Sequence, residues 1–197
     1  ALECRGFRLM DSIATFYREL SPSSDHGDFL DMSEMTVRPS TCDDVPAIQR
    51  IAETAFKQGH FHNDPHIPSH CAREVYAQWA LNSCRGRADA VLVAELSKEP
   101  GTPCGFITCG IDGISADKTG KPQGVIGLVA VEPESQGRGT GRALVKAALS
   151  WFVRKGMHGV EVGTQLGNMA AIRTYQSLGF RCVAFAHTFH KWLLTQE

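Results

Sequence analysis

VAVEPESQGRGTGRAL, residues 129–144, is the stretch that decides the fold of this chain. An apolar run over residues 125–131 stops at Glu132 and Pro133, and Gly137, Gly139 and Gly141 then lead the backbone into an apolar-periodic segment. That order describes a strand, a tight turn and the start of a helix. Glycines at alternate positions leave the amides of the turn uncovered, and the helix aims its unpaired N–H groups and positive dipole end at the same place. A pyrophosphate fits there, with Arg138 and Arg142 adding charge. Two other phosphate motifs fail on spacing. The dinucleotide fingerprint needs G-x-G-x-x-G, whereas these glycines run G-x-G-x-G. The P-loop needs G-K-[ST], and Gly120-Lys121 runs into Pro122.

Upstream of the turn, residues 90–95, 105–110 and 123–131 are three apolar runs, separated by Pro100-Gly101-Thr102-Pro103 and by the turn-rich residues 112–122. Short connections of this kind predict adjacent antiparallel strands. Downstream, Ala143, Leu144, Ala147, Ala148, Trp151 and Phe152 mark one face of a long helix ended by Gly156, and residues 159–162 form a further strand. The strand–helix–strand crossover makes that strand parallel to the one before the glycine turn. Another helix follows, with Asn168 near its start and Gly179 as its terminator. Asn168, Ile172 and Tyr175 share one of its faces, so an amide and a phenol line one cleft. The fold class is α/β (α+β): a mixed, mostly antiparallel central sheet with flanking helices.

Gln136-Gly-Arg-Gly139-Thr-Gly141 resembles the Q-x-x-G-x-G/A signature of the GCN5-related N-acetyltransferases, whose loop amides hold the pyrophosphate of coenzyme A. Residues 168–180 resemble the second coenzyme A motif of that family, N-x-x-A-x-x-x-Y-x-x-x-G-F. Thr36-Val-Arg38-Pro39 and the acidic helix start at Asp43 and Asp44 resemble its first strand and helix. Within the family, three further stretches resemble the dTDP-fucosamine N-acetyltransferases, which acetylate the 4-amino group of dTDP-4-amino-4,6-dideoxygalactose. They are Phe61 to Pro68, Val75-Tyr76-Ala-Gln-Trp79 with Arg85-Gly86, and Thr164-Gln165-Leu-Gly167-Asn168. The likeness departs at His187-Thr-Phe-His190, where that subfamily is rich in aromatic residues.

The resemblance implies acetyl-coenzyme A as co-substrate, held by Val129, Ala130, Val131, Gln136, Gly137, Arg138, Gly139, Thr140, Gly141, Arg142, Asn168 and Tyr175. It implies direct transfer in a ternary complex, with Tyr175 protonating the leaving thiolate and backbone N–H groups around Val131 facing the developing oxyanion. The acceptor side falls to His60, Phe61, Asp64, Tyr76, Trp79, Thr164 and Gln165.

Residues 60–70, HFHNDPHIPSH, hold four histidines and an aspartate. His60 and His62 would project together from an extended segment, as metal ligands do. Pro65 and Pro68 make the stretch an irregular loop, however, and His66 and His70 span a proline. A substrate loop without metal is the favoured reading. His60, His62 and Asp64 are candidates for a general base by location alone. A helix is expected from Cys71 to Arg85, in which Tyr76 and Trp79, taken by themselves, are core residues.

Residues 1–8, ALECRGFR, resemble a glycine-capped helix end followed by a strand from Phe7 to about Tyr17, and Gly179-Phe180-Arg181 echoes the phrase. Residues 1–20 are therefore expected to be the remnant of an N-terminal partial copy of the fold, 21–34 a linker, and 35–197 the main domain. That domain begins with a short strand and a helix running from Thr41 to a terminator at Gly59.

A chain of 197 residues with 43% hydrophobic content supports one sizeable core. Its net charge of −1 supplies no basic field for nucleic acid. Seven cysteines without a C-x-x-C pair point to a reducing cytoplasm. No apolar run reaches the roughly 18 residues a membrane helix needs, and no signal peptide is recognised. The expected location is cytoplasmic, and the expected partners are a small-molecule amine and a second copy of the chain as a homodimer. Three alternatives stay open: a coenzyme A-binding module without catalysis, a zinc protein built on the histidine loop, and an acetyltransferase for a protein N-terminus or a polyamine. Near-neutral charge does not favour a polycationic acceptor.

Overall fold

Period-two patterning sorts the apolar side chains of the strands onto two faces, and helices cover both. The structure, a computed structural model, describes residues 2–21, 35–112 and 121–193. The expected linker beyond Ser21 and the turn-rich connection at 113–120 lie outside the described residues. In chain order the elements are β1 (Arg8–Glu19), β2 (Met35–Pro39), α1 (Val45–Ala55), α2 (His60–Asn63), α3 (Ser69–Asn82), β3 (Ala90–Leu96) and β4 (Pro103–Asp112). They continue with β5 (Gln123–Val131), α4 (Thr140–Arg154), β6 (Gly159–Gln165), α5 (Met169–Ser177) and β7 (Arg181–His190). One seven-stranded sheet runs β2-β3-β4-β5-β6-β1-β7. Only the β5–β6 junction is parallel, as the crossover through α4 requires.

β3 illustrates the sorting. Leu92 and Ala94 join the core beneath α4 and α5 with Leu144, Leu149 and Phe152, whereas Val91 and Val93 join the opposite core with Ile48 and Ile51 of α1 and Tyr76 and Ala80 of α3. No helix among the described residues is long and apolar enough to cross a membrane.

β1 lies where the sequence did not put it. The expected helix end is present as a single turn, Glu3–Arg5, capped by Gly6, and the strand follows it. That strand is an interior member of the main sheet, paired on one edge with β6 and on the other with β7. Ala14 and Phe16 are buried in the α4-side core. Residues 8–19 therefore share the sheet of residues 35–190. β7 is left at the edge, with Val183 57% and Phe185 65% exposed.

Three helix boundaries also shift. α1 ends at Ala55 rather than running to Gly59, because Phe56 turns extended and stacks on Tyr76 at 4.6 Å between ring centroids. Gly59 instead opens the helical turn α2, within what reads as an irregular loop. α3 starts at Ser69, directly after Pro68, and its C-terminal end unwinds into a π-helical turn, Ser83–Arg87.

The acidic start of the first helix has a structural purpose. Arg38 on β2 donates to both oxygens of Asp44 at 2.7 and 2.9 Å, and to Glu95 on β3 at 3.3 and 3.2 Å. Asp44 also accepts from the Thr41 amide at 2.7 Å, so one carboxylate joins strand, cap and helix. The Arg38 hydrogen bond holds the Asp44 carboxyl at about 2 against its burial, from an ordinary 3.8. A depressed carboxylate stabilises the fold fully above its unfolded pKa and loses that contribution as pH falls through its folded value. Asp44→Asn is thus expected to cost about 2 kcal/mol at pH 7. In urea titrations the gap from wild type should narrow from about pH 4 toward pH 2; a gap independent of pH contradicts the assignment.

Candidate functional site

β5 and β6 are hydrogen-bonded only from Gln123↔Gly159 to Ile126↔Val162. Beyond that, β5 continues against β4 as far as Val131↔Gly105, and β6 continues against β1 as far as Gln165↔Ile13. A wedge opens in the middle of the sheet, between the facing edges of residues 127–131 and 163–165. Part of the divergence comes from a β-bulge. Gly127 and Leu128 together oppose Thr108, between the pairs Cys109↔Ile126 and Ile107↔Val129. The Thr108 hydroxyl accepts from the Leu128 amide at 2.8 Å in place of a ladder partner. The extra residue also reverses the strand. Ile126 packs in the α4-side core, while Leu128 and Ala130 pack on the α1/α3 side; uninterrupted period two would put all three on one face.

On the α4 side the wedge runs into the glycine turn. Gly137 and Gly139 have φ of +74° and +85°, a left-handed backbone. A Cβ on either would stand in open space. The requirement for glycine therefore comes from the backbone, and it leaves the amides uncovered at the start of α4. Thr140 donates its hydroxyl to Ser135 O at 2.9 Å and Gln136 Nε2 donates to Val131 O at 3.1 Å. Gln136 ties the turn to the end of β5 and Thr140 ties the start of α4 to the residues just before the turn. Arg138 is exposed beside them, and Arg142 reaches across to Ser177 Oγ on α5. Asn168 caps α5, its Oδ1 accepting from the Ala171 amide at 3.2 Å. The face shared by Asn168, Ile172 and Tyr175 runs from solvent into the core: Asn168 is exposed, Ile172 half-buried and Tyr175 only 4% exposed. The Tyr175 ring lies between Phe16 and Phe180, at 5.9 and 5.7 Å. Burial pushes its pKa well above that of an ordinary phenol.

On the other side, polar atoms from three elements converge. A Cβ placed on Gly59, whose φ is +137°, would stand 2.6 Å from the Tyr76 hydroxyl, 3.5 Å from Gln165 Nε2 and 3.9 Å from Asp11 Oδ2. Asp11 is 8% exposed, and its Oδ1 accepts from the Ser12 amide at 2.8 Å. Its Oδ2 is buried without a donor among the described residues. An orphaned carboxylate oxygen is costly, and a ligand's N–H would satisfy it. Asp11 is absent from the residues read off the sequence. Its signal was an acid set between Met10 and Ile13 in an apolar strand, in a segment assigned outside the main domain.

Tyr76 stacks on Phe56 and, at 5.5 Å, on His62, and meets Trp79 edge-on at 5.4 Å; Trp79 meets Phe61 at 5.9 Å. Tyr76 is core, at 5% exposure, but Trp79 is 44% exposed. Burial lowers the pKa of His60, the charge of His190 lowers it further, and Asp11 opposes both. Burial and Arg73 lower that of His62. Both imidazoles are neutral at pH 7. Thr164 is 6% exposed and sits opposite Ala14 in the ladder.

Asp64 differs from its neighbours in having no free oxygen. Its side chain is buried; Oδ2 accepts from His190 Nδ1 at 2.6 Å, and Trp192 Nε1 donates to both oxygens, at 2.9 and 3.2 Å. Oδ1 also accepts from the His66 amide at 2.9 Å. Burial alone would raise its pKa, but the bonds from His190, His66 and Trp192 outweigh it and hold the carboxyl below the usual range. Expected to meet a ligand, Asp64 is instead shaped to clasp the end of β7 to the loop after α2. Neither partner was among the candidate site residues read off the sequence, where His190 marked only a departure from the subfamily pattern and Trp192 was not singled out. Among the described residues no group of three or more His, Cys, Asp or Glu is placed to hold a metal ion.

The sequence profile of the Acetyltransferase (GNAT) family matches residues 47–180. The dTDP-fucosamine acetyltransferase of Escherichia coli O6:H1 is 29% identical over 191 residues, 97% of this chain and 75% of that protein. The spore coat polysaccharide biosynthesis protein SpsD of Bacillus subtilis is 29% identical over 149 residues, 76% of this chain and 48% of that protein. The chain thus spans about half the length of SpsD. In fold it is similar to a GCN5-related N-acetyltransferase from Sphaerobacter thermophilus, with a TM-score of 0.66 and 20% identity over 96% of this chain and 53% of that one.

If Asp64 clasps the loop, Asp64→Ala frees the His66 amide and leaves His190 and Trp192 without their acceptor. Hydrogen exchange at His66 is expected to accelerate by about tenfold or more, with the β3–β4 ladder unchanged. Unchanged exchange at His66 contradicts the clasp.

Proposed function

The chain belongs to the acetyltransferase (GNAT) family, and we propose that it transfers an acetyl group from acetyl-coenzyme A to an amino group of a small molecule, the 4-amino group of a dTDP-amino-dideoxysugar. The observation that carries this proposal is the wedge between β5 and β6, with an amide-lined glycine turn on one side and an orphaned carboxylate among aromatic rings on the other. The donor half belongs to the main chain of residues 127–131 and 137–142. The uncovered edge of β5 can pair with an extended amide-bearing ligand as an added strand does. The amides at the start of α4, with Arg138, suit a pyrophosphate. The sugar assignment is supported by the 29% identical relative named for dTDP-fucosamine, which aligns with 97% of this chain.

Acetyl-coenzyme A supplies an activated acyl carbon, whose C–S bond breaks as the C–N bond forms. The residues of the chain provide for the protons. Asp11 Oδ2, lacking a donor of its own, holds the incoming amine and takes the proton it must lose. The neutral His60 imidazole lies within reach of the same charge. Tyr175 is kept protonated by burial and donates toward the departing sulfur. Main-chain N–H groups around Val131 face the carbonyl oxygen as charge develops on it. Holding both reactants in one wedge lowers the entropic part of the barrier.

Free-thiol release from acetyl-coenzyme A, with dTDP-4-amino-4,6-dideoxygalactose and its glucose-configured epimer as acceptors, tests the reaction directly. Turnover of one epimer is expected. Coenzyme A binding without turnover of either leaves the family standing and removes the sugar. Tyr175→Phe keeps the ring between Phe16 and Phe180 and is expected to lower kcat by about 10²–10⁴; full turnover by the folded variant removes the acid role. Asp11→Asn is expected to lower kcat/KM by about 10², and an unchanged value excludes it as the base.

A further inference from the structure

A groove of about 270 Å³ lies where the C-terminal end of α3 meets the bulge in β5, lined by Trp79, Asn82, Ser83, Arg87, Thr108 and, at the bulge, Gly127 and Leu128. Its volume falls just under the 300–1,000 Å³ of whole small-molecule sites, enough for one ring system and a linker. Its composition is unusual for a surface depression. Trp79 is 44% exposed, although its ring meets those of Tyr76 and Phe61 at interplanar angles of 70° and 69°. A large flat apolar ring held in place and left open is a stacking platform. Arg87 is exposed and makes no ion pair or hydrogen bond among the described residues. Asn82, Ser83 and Thr108 add neutral polar groups and no carboxylate.

The end of α3 positions this arginine. The helix closes in a π-helical turn, with the Ala88 amide bonding to Ser83 O at 3.4 Å, while Ser83 Oγ donates back to Trp79 O at 2.9 Å. Wide turns of this kind recur at functional sites. Here Arg87 is the last residue of the turn, and it lines the groove together with Thr108 and Leu128. Trp79 in the groove packs against Tyr76, whose hydroxyl is one of the polar atoms that converge with Asp11 near Gly59.

We propose that this groove holds the nucleotide end of the acceptor, with a nucleobase laid on Trp79 and phosphate oxygens at Arg87. The inference rests on the nucleotide-sugar reading of the acceptor and adds the subsite that selects it. An aromatic face and a guanidinium side by side suit a planar base followed by an anion. The bulge then has a second consequence: it brings the floor of the nucleotide groove and the edge of the acetyl-transfer wedge onto consecutive residues of β5.

Calorimetric titration of the whole chain with dTDP, without acetyl-coenzyme A, tests the subsite, with thymidine and inorganic pyrophosphate as half-ligands. dTDP is expected to bind more tightly than either half and to remain bound at saturating coenzyme A. Arg87→Gln is expected to weaken dTDP by about tenfold and Trp79→Ala by about 5- to 100-fold, with Trp79→Phe retaining most of the affinity. Displacement of dTDP by coenzyme A, with affinity unmoved by Arg87→Gln, puts the nucleotide in the glycine turn and overturns the proposal. So does absence of dTDP binding by a chain that binds coenzyme A. The two readings fail separately. If the amino sugar is acetylated with a KM unmoved by Arg87→Gln, the groove is wrong and the reaction stands. If dTDP binds in the groove but no amino sugar is acetylated, the groove stands and the reaction is wrong.

Discussion

Every part of the site depends on two strands that part company. β5 and β6 are joined through Ile126↔Val162 and not beyond it, while each stays bonded to its outer neighbour. Separation inside a sheet exposes main-chain donors and acceptors that folding would ordinarily pair. It persists here because both outer neighbours are secure, β4 on one side and the interior strand β1 on the other. The bulge at Gly127 and Leu128 sets where β5 turns away, and the Thr108 hydroxyl removes part of the cost by taking the Leu128 amide. A gap held open by its surroundings is preorganised, so a ligand entering it need not first pull the sheet apart.

The two halves of the wedge use different physics. The glycine turn offers main-chain dipoles: Thr140 is buried with its hydroxyl on Ser135 O, and the exposed Gln136 is tied back to Val131 O. The opposite half offers side chains, among them a carboxylate short of one hydrogen bond, neutral imidazoles and a stack of aromatic rings. A main-chain anion site recognises a feature common to many ligands. In the proposed function, the acceptor meets side chains of β1, α3 and the segment around α2. The clasp through Asp64, His190 and Trp192 ties the loop after α2 to the last residue of β7 and to Trp192 beyond it.

What was legible in the sequence was local. The strand, turn and helix around residues 125–154, the cap at Asn168 and the terminator at Gly179 are fixed by residues a few positions apart, and they stand where the pattern puts them. The acetyltransferase family followed from those same residues. Long-range pairing was not legible. A strand near residue 13 can be read from alternation, but its bond to Gln165 on one edge and Ala186 on the other cannot. Asp64 looked like a ligand contact because its partners lie 126 and 128 residues away. One extra residue at the bulge left no trace in an apolar run, and Gly59 resembled a helix terminator while serving as the start of α2. Helical spacing alone made Trp79 core, and only the family resemblance put it on the acceptor side, because spacing does not tell which position stays exposed.

The most direct measurement is an amide chemical-shift map of the 21.5 kDa chain on titration with coenzyme A alone. The wedge predicts large shifts at residues 127–131 and 137–142 and at Asn168, with the end of α3 little affected. Shifts confined to other regions, or none at all on the inner edge of β5, would contradict the central claim that the parted strands form the donor site.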